Sequence, residues 1–208
     1  HIISQVGYMV LGLSVFTPLA LGATLVYLVH HIIVKANLFL VGGLIHRATG
    51  SFHLAHMGSL YKTHGLISAL FFIPAFSLAG FPPLSGFWAK YMVVRAALEA
   101  GAPFSAGVAL FTGFFTLFCM MKVWTEVFWK NSPDSSKEAA SSTVHESTSK
   151  PTPPKGRVFA AVFTIVAFNL VALAIGFFPE PLVALAEQAA GQLIDPSDYI
   201  RQVLGIMP

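Results

Sequence analysis

A histidine and a lysine lie four residues apart in the apolar run HIIVKANLFLVGG (31–43). In an α-helix this spacing places His31 and Lys35 on one face, and Tyr27 extends that face by another turn. Histidine titrates near neutral pH, and an ionisable side chain at membrane depth is a functional-site hypothesis. We therefore predict that His31 and Lys35 pass protons along a helix. His30 is a further candidate for this relay, with a plain packing role as its alternative.

Lys35 also has two structural roles open to it. A lysine can extend its ammonium to a membrane interface, or it can pair with a carboxylate. The position of Lys35 deep inside the apolar run argues against the interface, while the ion pair stays open.

A second lysine, Lys90, follows a pair of prolines in the stretch SLAGFPPLSGFWAKY (77–91). Two consecutive prolines remove backbone donors and clash with the preceding turn, so a helix must break there. In transporters, broken helices expose unpaired backbone groups where ions pass. We predict that Lys90 is a relay residue, the alternative being an anchor at the membrane interface. The predicted break on the ion pathway comprises Pro82, Pro83, Ser85 and Gly86.

Two further charged pairs have helical i, i+4 spacing. We expect Arg95 and Glu99 to form a modest surface pair. Lys122 and Glu126 lie among tryptophans near the end of an apolar segment, a pattern typical of anchoring at a membrane interface. Neither pair is expected to take part in transport.

Metal binding and covalent chemistry find no support in the sequence. The segment 46–64 holds four of the eight histidines (His46, His53, His56 and His64), but it lacks compact ligand spacing and has no acidic or cysteine partner. Cys119 is the single cysteine. No nucleotide-binding loop, nucleophile triad or carboxylate pair is present, so we expect no cofactor, no metal and no enzymatic reaction.

The composition is that of an integral membrane protein. Of the 208 residues, 55% are hydrophobic and only 10% are charged, and the mean hydropathy is +0.72. A soluble domain carries roughly 25% charged residues. The formal net charge of +3 comes from scattered cations, which gives no support to nucleic-acid binding.

Five apolar units predict an all-α membrane protein with about five transmembrane helices. As a single helix, the third unit would be about 50 Å long against a bilayer core of about 30 Å. We interpret it as one span broken at Pro82-Pro83. The units are about 1–16, 19–45, 65–98, 104–129 and 157–178.

The domain organisation follows from these units. Residues 1–130 hold the first transmembrane helices, 131–156 form a polar disordered loop, 157–178 the last transmembrane helix, and 179–208 an amphipathic tail at the surface. Lysines and arginines concentrate on the side of the 46–64 and 131–156 segments, which the positive-inside rule makes cytoplasmic. This leaves the C-terminus outside. Because the chain begins within an apolar run and without methionine, we expect it to be the C-terminal part of a longer protein.

Three stretches resemble the antiporter-type subunits shared by respiratory complex I and the Mrp cation/proton antiporters. They are HIISQVGYMVLGL (1–13), HHIIVKANLFLVGGL (30–44) and SLAGFPPLSGFWAKY (77–91). Two more, MKVWTEVFWK (121–130) and LIDPSDYIRQVLG (193–205), resemble the D-type subunits of the Mrp (Pha/Mnh) multisubunit Na⁺(K⁺)/H⁺ antiporters. The resemblance covers nearly the whole chain except the 131–156 segment.

The resemblance implies about fourteen transmembrane helices in two inverted repeats, of which this chain would be the last five. It implies that Lys35 and Lys90 belong to a central hydrophilic axis, and that Tyr27 stands where some relatives carry another histidine. The implied function is exchange of protons for Na⁺ or K⁺ by one subunit of a hetero-oligomeric complex in the lipid bilayer of the bacterial inner membrane. The alternative is a proton-pumping subunit of NADH-quinone oxidoreductase (M, N or L type) or of a membrane-bound hydrogenase.

Overall fold

The computed structural model describes residues 2–49, 60–130 and 155–205, and this part of the chain is helical without strands. The predicted all-α fold is confirmed. The helices are α1 (Ile2–Val15), α2 (Pro18–Thr49), α3 (Leu60–Thr63), α4 (Gly65–Ala79), α5 (Ser85–Glu99), α6 (Pro103–Trp124), α7 (Lys155–Phe177), α8 (Glu180–Ile194) and α9 (Ser197–Leu204). A π-helical turn, Thr125–Trp129, continues α6.

Each apolar unit corresponds to a helix or to a broken pair of helices. Among the described residues, three helices are long and apolar enough to cross a membrane: Pro18–Thr49, Pro103–Trp129 and Val158–Phe177. Helices α1 and α4 are apolar but shorter, and α4 with α5 forms the broken third unit. The predicted polar loop lies, apart from its last two residues, outside the described residues.

Helix α2 is the centre of the bundle and packs against α1, α4, α5, α7 and α8. Its residues contribute to two apolar clusters. One contains α2 residues from Ala23 to Tyr27, and the other contains those from Val34 to Ile45. His30 and His31 lie between these clusters along α2. The predicted surface tail forms α8 and α9, and α8 packs against α2, with Ala186 in the same apolar cluster as Ala23 and Tyr27.

The predicted break at the prolines is present. Helix α4 ends at Ala79, and the left-handed Gly80 (φ 89°) donates its N–H to the carbonyls of Phe76 and Ser77, a typical glycine C-cap. Helix α5 begins at Ser85. Helix α7 closes over the break, where Trp88 donates its indole N–H to the Gly176 carbonyl at 2.9 Å.

The structure tests the predicted surface pair of Arg95 and Glu99, whereas the interfacial anchoring of Lys122 and Glu126 stays a prediction. Arg95 and Glu99 form an exposed ion pair at 2.8 Å, which confirms that prediction. Glu126, however, pairs with Lys130 at 3.0 Å rather than with Lys122. Both lysines are four residues from Glu126, and a glutamate on the N-terminal side of its lysine has the better geometry in a helix.

Candidate functional site

Tyr27 and His31 share a face of α2, as the spacing predicts. Their rings stack with centroids 6.5 Å apart and an interplanar angle of 21°. The Nε2 atom of His31 is buried and has no hydrogen-bond partner among the described residues. The imidazole therefore keeps one nitrogen available for a proton or a water molecule.

Lys35 lies one turn beyond His31 and is half-buried. A rise of 1.5 Å per residue places it about 6 Å further along the helix axis. Within the described part of the chain, Lys35 forms neither a hydrogen bond nor an ion pair. The pairing of Lys35 with a carboxylate, left open by the sequence, thus finds no support there.

His30 is the histidine that reaches the helix break. It is 1% exposed, and its Nδ1 lies 2.9 Å from the hydroxyl of Ser85. The Ser85 hydroxyl in turn lies 2.9 Å from that of Ser77. Because Ser77 belongs to α4 and Ser85 to α5, this hydrogen-bonded row joins α2 to both sides of the break.

Lys90 reaches back over the same break. Its ammonium donates to the carbonyl of Ala79, the last residue of α4, at 2.9 Å. The last carbonyls of a helix lack partners within it, and its C-terminal end carries partial negative charge that favours a cation. The Lys90 ammonium also lies 5.4 Å from the centre of the Tyr8 ring, within the range of a cation–π interaction.

A cavity of about 270 Å³ opens beside Lys90. A water molecule occupies about 30 Å³ in the liquid, so several waters would fit. The residues that line this cavity include Tyr8, Ala79, Gly80, Lys90 and Gly113.

Two tyrosines connect the lysine at the break with the histidines of α2. The Tyr8 and Tyr27 rings stack with centroids 5.1 Å apart. The Tyr8 hydroxyl donates to the Ala109 carbonyl, and the Tyr27 hydroxyl donates to the side-chain carbonyl of Gln5. The side-chain amide of Gln5 approaches the hydroxyl of Thr116 at 3.5 Å. Polar groups of α1, α2 and α6 therefore meet beside the break.

Sequence reasoning missed Gln5, Tyr8 and Ser77 as members of this site. Gln5 and Tyr8 are three residues apart in an apolar helix, a spacing that places both on one face. Both are almost fully buried. This spacing was the one sequence signal that could have identified Gln5 and Tyr8. No feature of the neighbouring sequence distinguishes Ser77 from a packing residue.

A metal cluster is not formed by the described residues, which include no group of three or more histidine, cysteine or acidic side chains. Of the four histidines in the 46–64 segment, His46 and His64 are described. His53 and His56 lie outside the described residues.

Comparisons with known proteins place these residues within a family. Residues 2–116 match the model of the family described as NADH:quinone oxidoreductase/Mrp antiporter, TM. The D-type subunit of the Na(+)/H(+) antiporter of Alkalihalophilus pseudofirmus is 41% identical over 204 residues, covering 98% of this chain and 38% of that protein. The N-type subunit of the NADH-quinone oxidoreductase of Desulforudis audaxviator is 28% identical, covering 90% of this chain and 37% of that protein.

A solved structure is also similar. A chain in the structure of the Mrp complex from Dietzia sp. DQ12-45-1b superposes with a TM-score of 0.81 at 35% identity. The match covers 98% of this chain and 43% of that chain. The protein thus spans less than half the length of each of these relatives.

Proposed function

The chain belongs to the NADH:quinone oxidoreductase/Mrp antiporter transmembrane family, and on this premise we propose that it is a membrane subunit of a multisubunit monovalent cation/proton antiporter. Membership confirms the resemblance seen in the sequence motifs. The observation that carries the proposal is the Lys90 ammonium on the terminal carbonyl of α4, next to the hydrogen-bonded row of His30, Ser85 and Ser77. An ionisable group at a helix break within an apolar bundle is suited to proton transfer.

The proposed proton path joins Lys35, His31, His30 and Lys90. Neutral imidazole accepts a proton on one nitrogen and donates from the other, and a hydroxyl can do both. His30 and Ser85 therefore provide a route from α2 to the break, and the cavity beside Lys90 has room for water next to its ammonium. Charge would couple the two lysines, since two ammonium groups in a region of low dielectric disfavour each other's protonation.

The membrane setting is part of the proposal. The chain is a multi-pass membrane protein, with three helices long and apolar enough to span a bilayer among its described residues. We place it in the bacterial inner membrane with its C-terminus outside, because the lysines and arginines concentrate on the opposite side. Its partners would be the other subunits of a hetero-oligomeric complex.

Proton pumping powered by redox chemistry is the second candidate function. The similarity to the N-type subunit of an NADH-quinone oxidoreductase favours it, at 28% identity. The antiporter function has the stronger support, because the relative named as an antiporter component is 41% identical. Co-purification with flavin and iron–sulfur subunits would decide for the second candidate.

We expect Lys35→Ala to reduce antiport by about tenfold or more, because the variant removes the ionisable group next to His31. The measurement is cation-induced proton flux in everted vesicles, normalised to the amount of assembled complex. Lys122→Ala is the matched control, since Lys122 is exposed on α6, and its flux per complex should equal the wild type. Normal flux in Lys35→Ala would remove Lys35 from the path.

We expect His30→Gln to lower antiport by about tenfold or more. Glutamine can retain a hydrogen bond to Ser85, but it does not titrate. The same vesicle assay measures the effect, with His64→Gln as the control because His64 is exposed at the start of α4. If His30→Gln transports normally while His30→Ala fails, His30 supports the break by hydrogen bonding alone.

A further inference from the structure

A proline in the middle of α4 leaves one backbone carbonyl without its helical partner. In an α-helix each N–H donates to the carbonyl four residues earlier, and Pro74 has no N–H. The carbonyl of Leu70 therefore has no donor within α4. Leu70 and Pro74 are both buried, so bulk water does not supply the missing donor.

An asparagine from α7 supplies it. Asn169 donates its side-chain amide to the Leu70 carbonyl at 3.3 Å. Asn37 of α2 donates to the side-chain oxygen of Asn169 at 2.6 Å. Both asparagines are almost fully buried, at 0% and 3% exposed. We call this row, from Asn37 through Asn169 to the Leu70 carbonyl, the amide bridge; it joins α2, α7 and α4.

The amide bridge lies within an apolar cluster that includes Val34, Val41, Ile165 and Ala172. A polar group moved out of register there would lose its partner without gaining water, which is strongly unfavourable. The bridge therefore restricts the relative alignment of the three helices more than apolar packing alone would. The oxygen of Asn37 has no hydrogen-bond partner among the described residues, so Asn169 is the described partner that holds this side chain.

The bridge reaches α4 at Leu70, one turn before Pro74, and the part of α4 that meets Lys90 follows this proline. Pro74 is followed, less than one turn later, by Ser77, and α4 ends at Ala79, whose carbonyl accepts the Lys90 ammonium. Because Pro74 removes the backbone hydrogen bond to Leu70, the part of α4 after Pro74 is held less firmly to the part before it. Contacts from neighbouring helices must hold it instead.

Two polar ties connect α4 to α2, one on each side of Pro74. One is the His30–Ser85–Ser77 row, and the other is the amide bridge. His30 and Asn37 are seven residues apart, so they lie on the same face of α2, two turns from each other. The apolar residue Val34 lies on this face between them and is fully buried.

We propose that Asn37 and Asn169 are positioning residues, which set the last turn of α4 so that the Ala79 carbonyl meets the ammonium of Lys90. This inference rests on the proposed function, because the group that they position is the proposed relay lysine. Neither asparagine needs to exchange a proton. They act through the Leu70 carbonyl and the α4 backbone.

Asn37→Leu is the milder test variant. It leaves the bond from Asn169 to Leu70 in place and removes the tie to α2. In everted vesicles containing the full complex, we expect normal assembly, antiport per complex reduced about five- to thirtyfold, and a pH dependence of antiport displaced by at least about half a unit. The displacement is expected because the Ala79 carbonyl stabilises the charged form of the amine more than its neutral form.

A double-mutant cycle separates positioning from general damage. Asn169→Leu leaves the Leu70 carbonyl unpaired, whereas Pro74→Ala restores a backbone N–H four residues after Leu70. We expect Asn169→Leu to reduce antiport at least about fivefold less in the Pro74→Ala background than in the wild-type background. Thr164→Leu on α7 is the control, because Thr164 is exposed and its hydroxyl bonds within its own helix.

Two results would overturn the inference: an equal effect of Asn169→Leu in both backgrounds, or an unchanged pH dependence in Asn37→Leu. If the complex with Asn169→Leu does not assemble, the pH dependence of antiport in Asn37→Leu alone tests the inference. The wild-type complex distinguishes this inference from the proposed function. If the wild type shows no cation-dependent proton flux, the proposed function is wrong. If the wild type is active but the effects of Asn169→Leu and Pro74→Ala are additive, only the positioning role of the amide bridge is wrong.

Discussion

Replacing Lys90 with alanine is expected to abolish antiport while the complex still assembles. The variant removes the ammonium that caps the last carbonyl of α4 and faces the Tyr8 ring. Water can enter the neighbouring cavity and hydrogen-bond the freed Ala79 carbonyl, so the fold should survive. Cation-induced proton flux in everted vesicles, per assembled complex, should fall about a hundredfold or more.

Lys90→Arg distinguishes a proton carrier from a fixed charge. Arginine keeps the cation near the carbonyl but does not release its proton. We therefore expect Lys90→Arg to assemble and to transport as poorly as Lys90→Ala. Normal transport by Lys90→Arg would show that the charge alone is needed, and the relay role of Lys90 would then be wrong.

Arg95→Ala is the matched control for Lys90. Arg95 is on the same helix, but it is exposed and pairs with Glu99 at the surface. Exposed ion pairs contribute about 0–1 kcal/mol. The antiport rate of Arg95→Ala should stay within about twofold of the wild type, and a loss as large as that of Lys90→Ala would point to general damage of α5.

Gly86→Ala is expected to destabilise the protein by overpacking the helix break. A Cβ at residue 86 would lie 1.7 Å from the carbonyl oxygen of Ser77 and 3.0 Å from Cε1 of His30. The first contact is with backbone, so α4 and α5 must move apart. Overpacking of this kind lowers the free energy of unfolding by about 1–3 kcal/mol, occasionally more, and thermal unfolding of the purified complex measures it.

Gly42→Ala is the control with the opposite expected sign. Among the described residues, a Cβ at residue 42 meets no atom of another helix within 4 Å, and alanine is favoured over glycine within a helix by up to about 1 kcal/mol. Gly42 lies on α2, the same central helix that carries His30. If Gly86→Ala is as stable as Gly42→Ala and transports normally, residue 86 does not lie as close to the Ser77 carbonyl as the structure places it.

Backbone chemistry explains why the break could be predicted from the sequence. Pro82 and Pro83 lack N–H groups wherever they stand, so the interruption of the helix needs no knowledge of its neighbours. The Arg95–Glu99 pair is equally local. Lys122 shows where prediction from spacing fails. Glu126 has a lysine four residues away on each side, and spacing alone does not decide which of them it pairs with.

The sequence alone determined that this is an all-α membrane protein and where its apolar helices run, because hydropathy and proline act over one helix at a time. It also identified Lys35, His31 and Lys90 as candidates, since a charge in an apolar run is visible without a structure. The tertiary structure alone decided that His30 meets Ser85. Adjacent residues on a helix point about 100° apart, and only the packing of α2 against the break chooses between them. It alone joined Asn37 to Asn169 across 132 residues, because the helix that supplies a partner to a buried amide depends on how whole helices are rotated and packed.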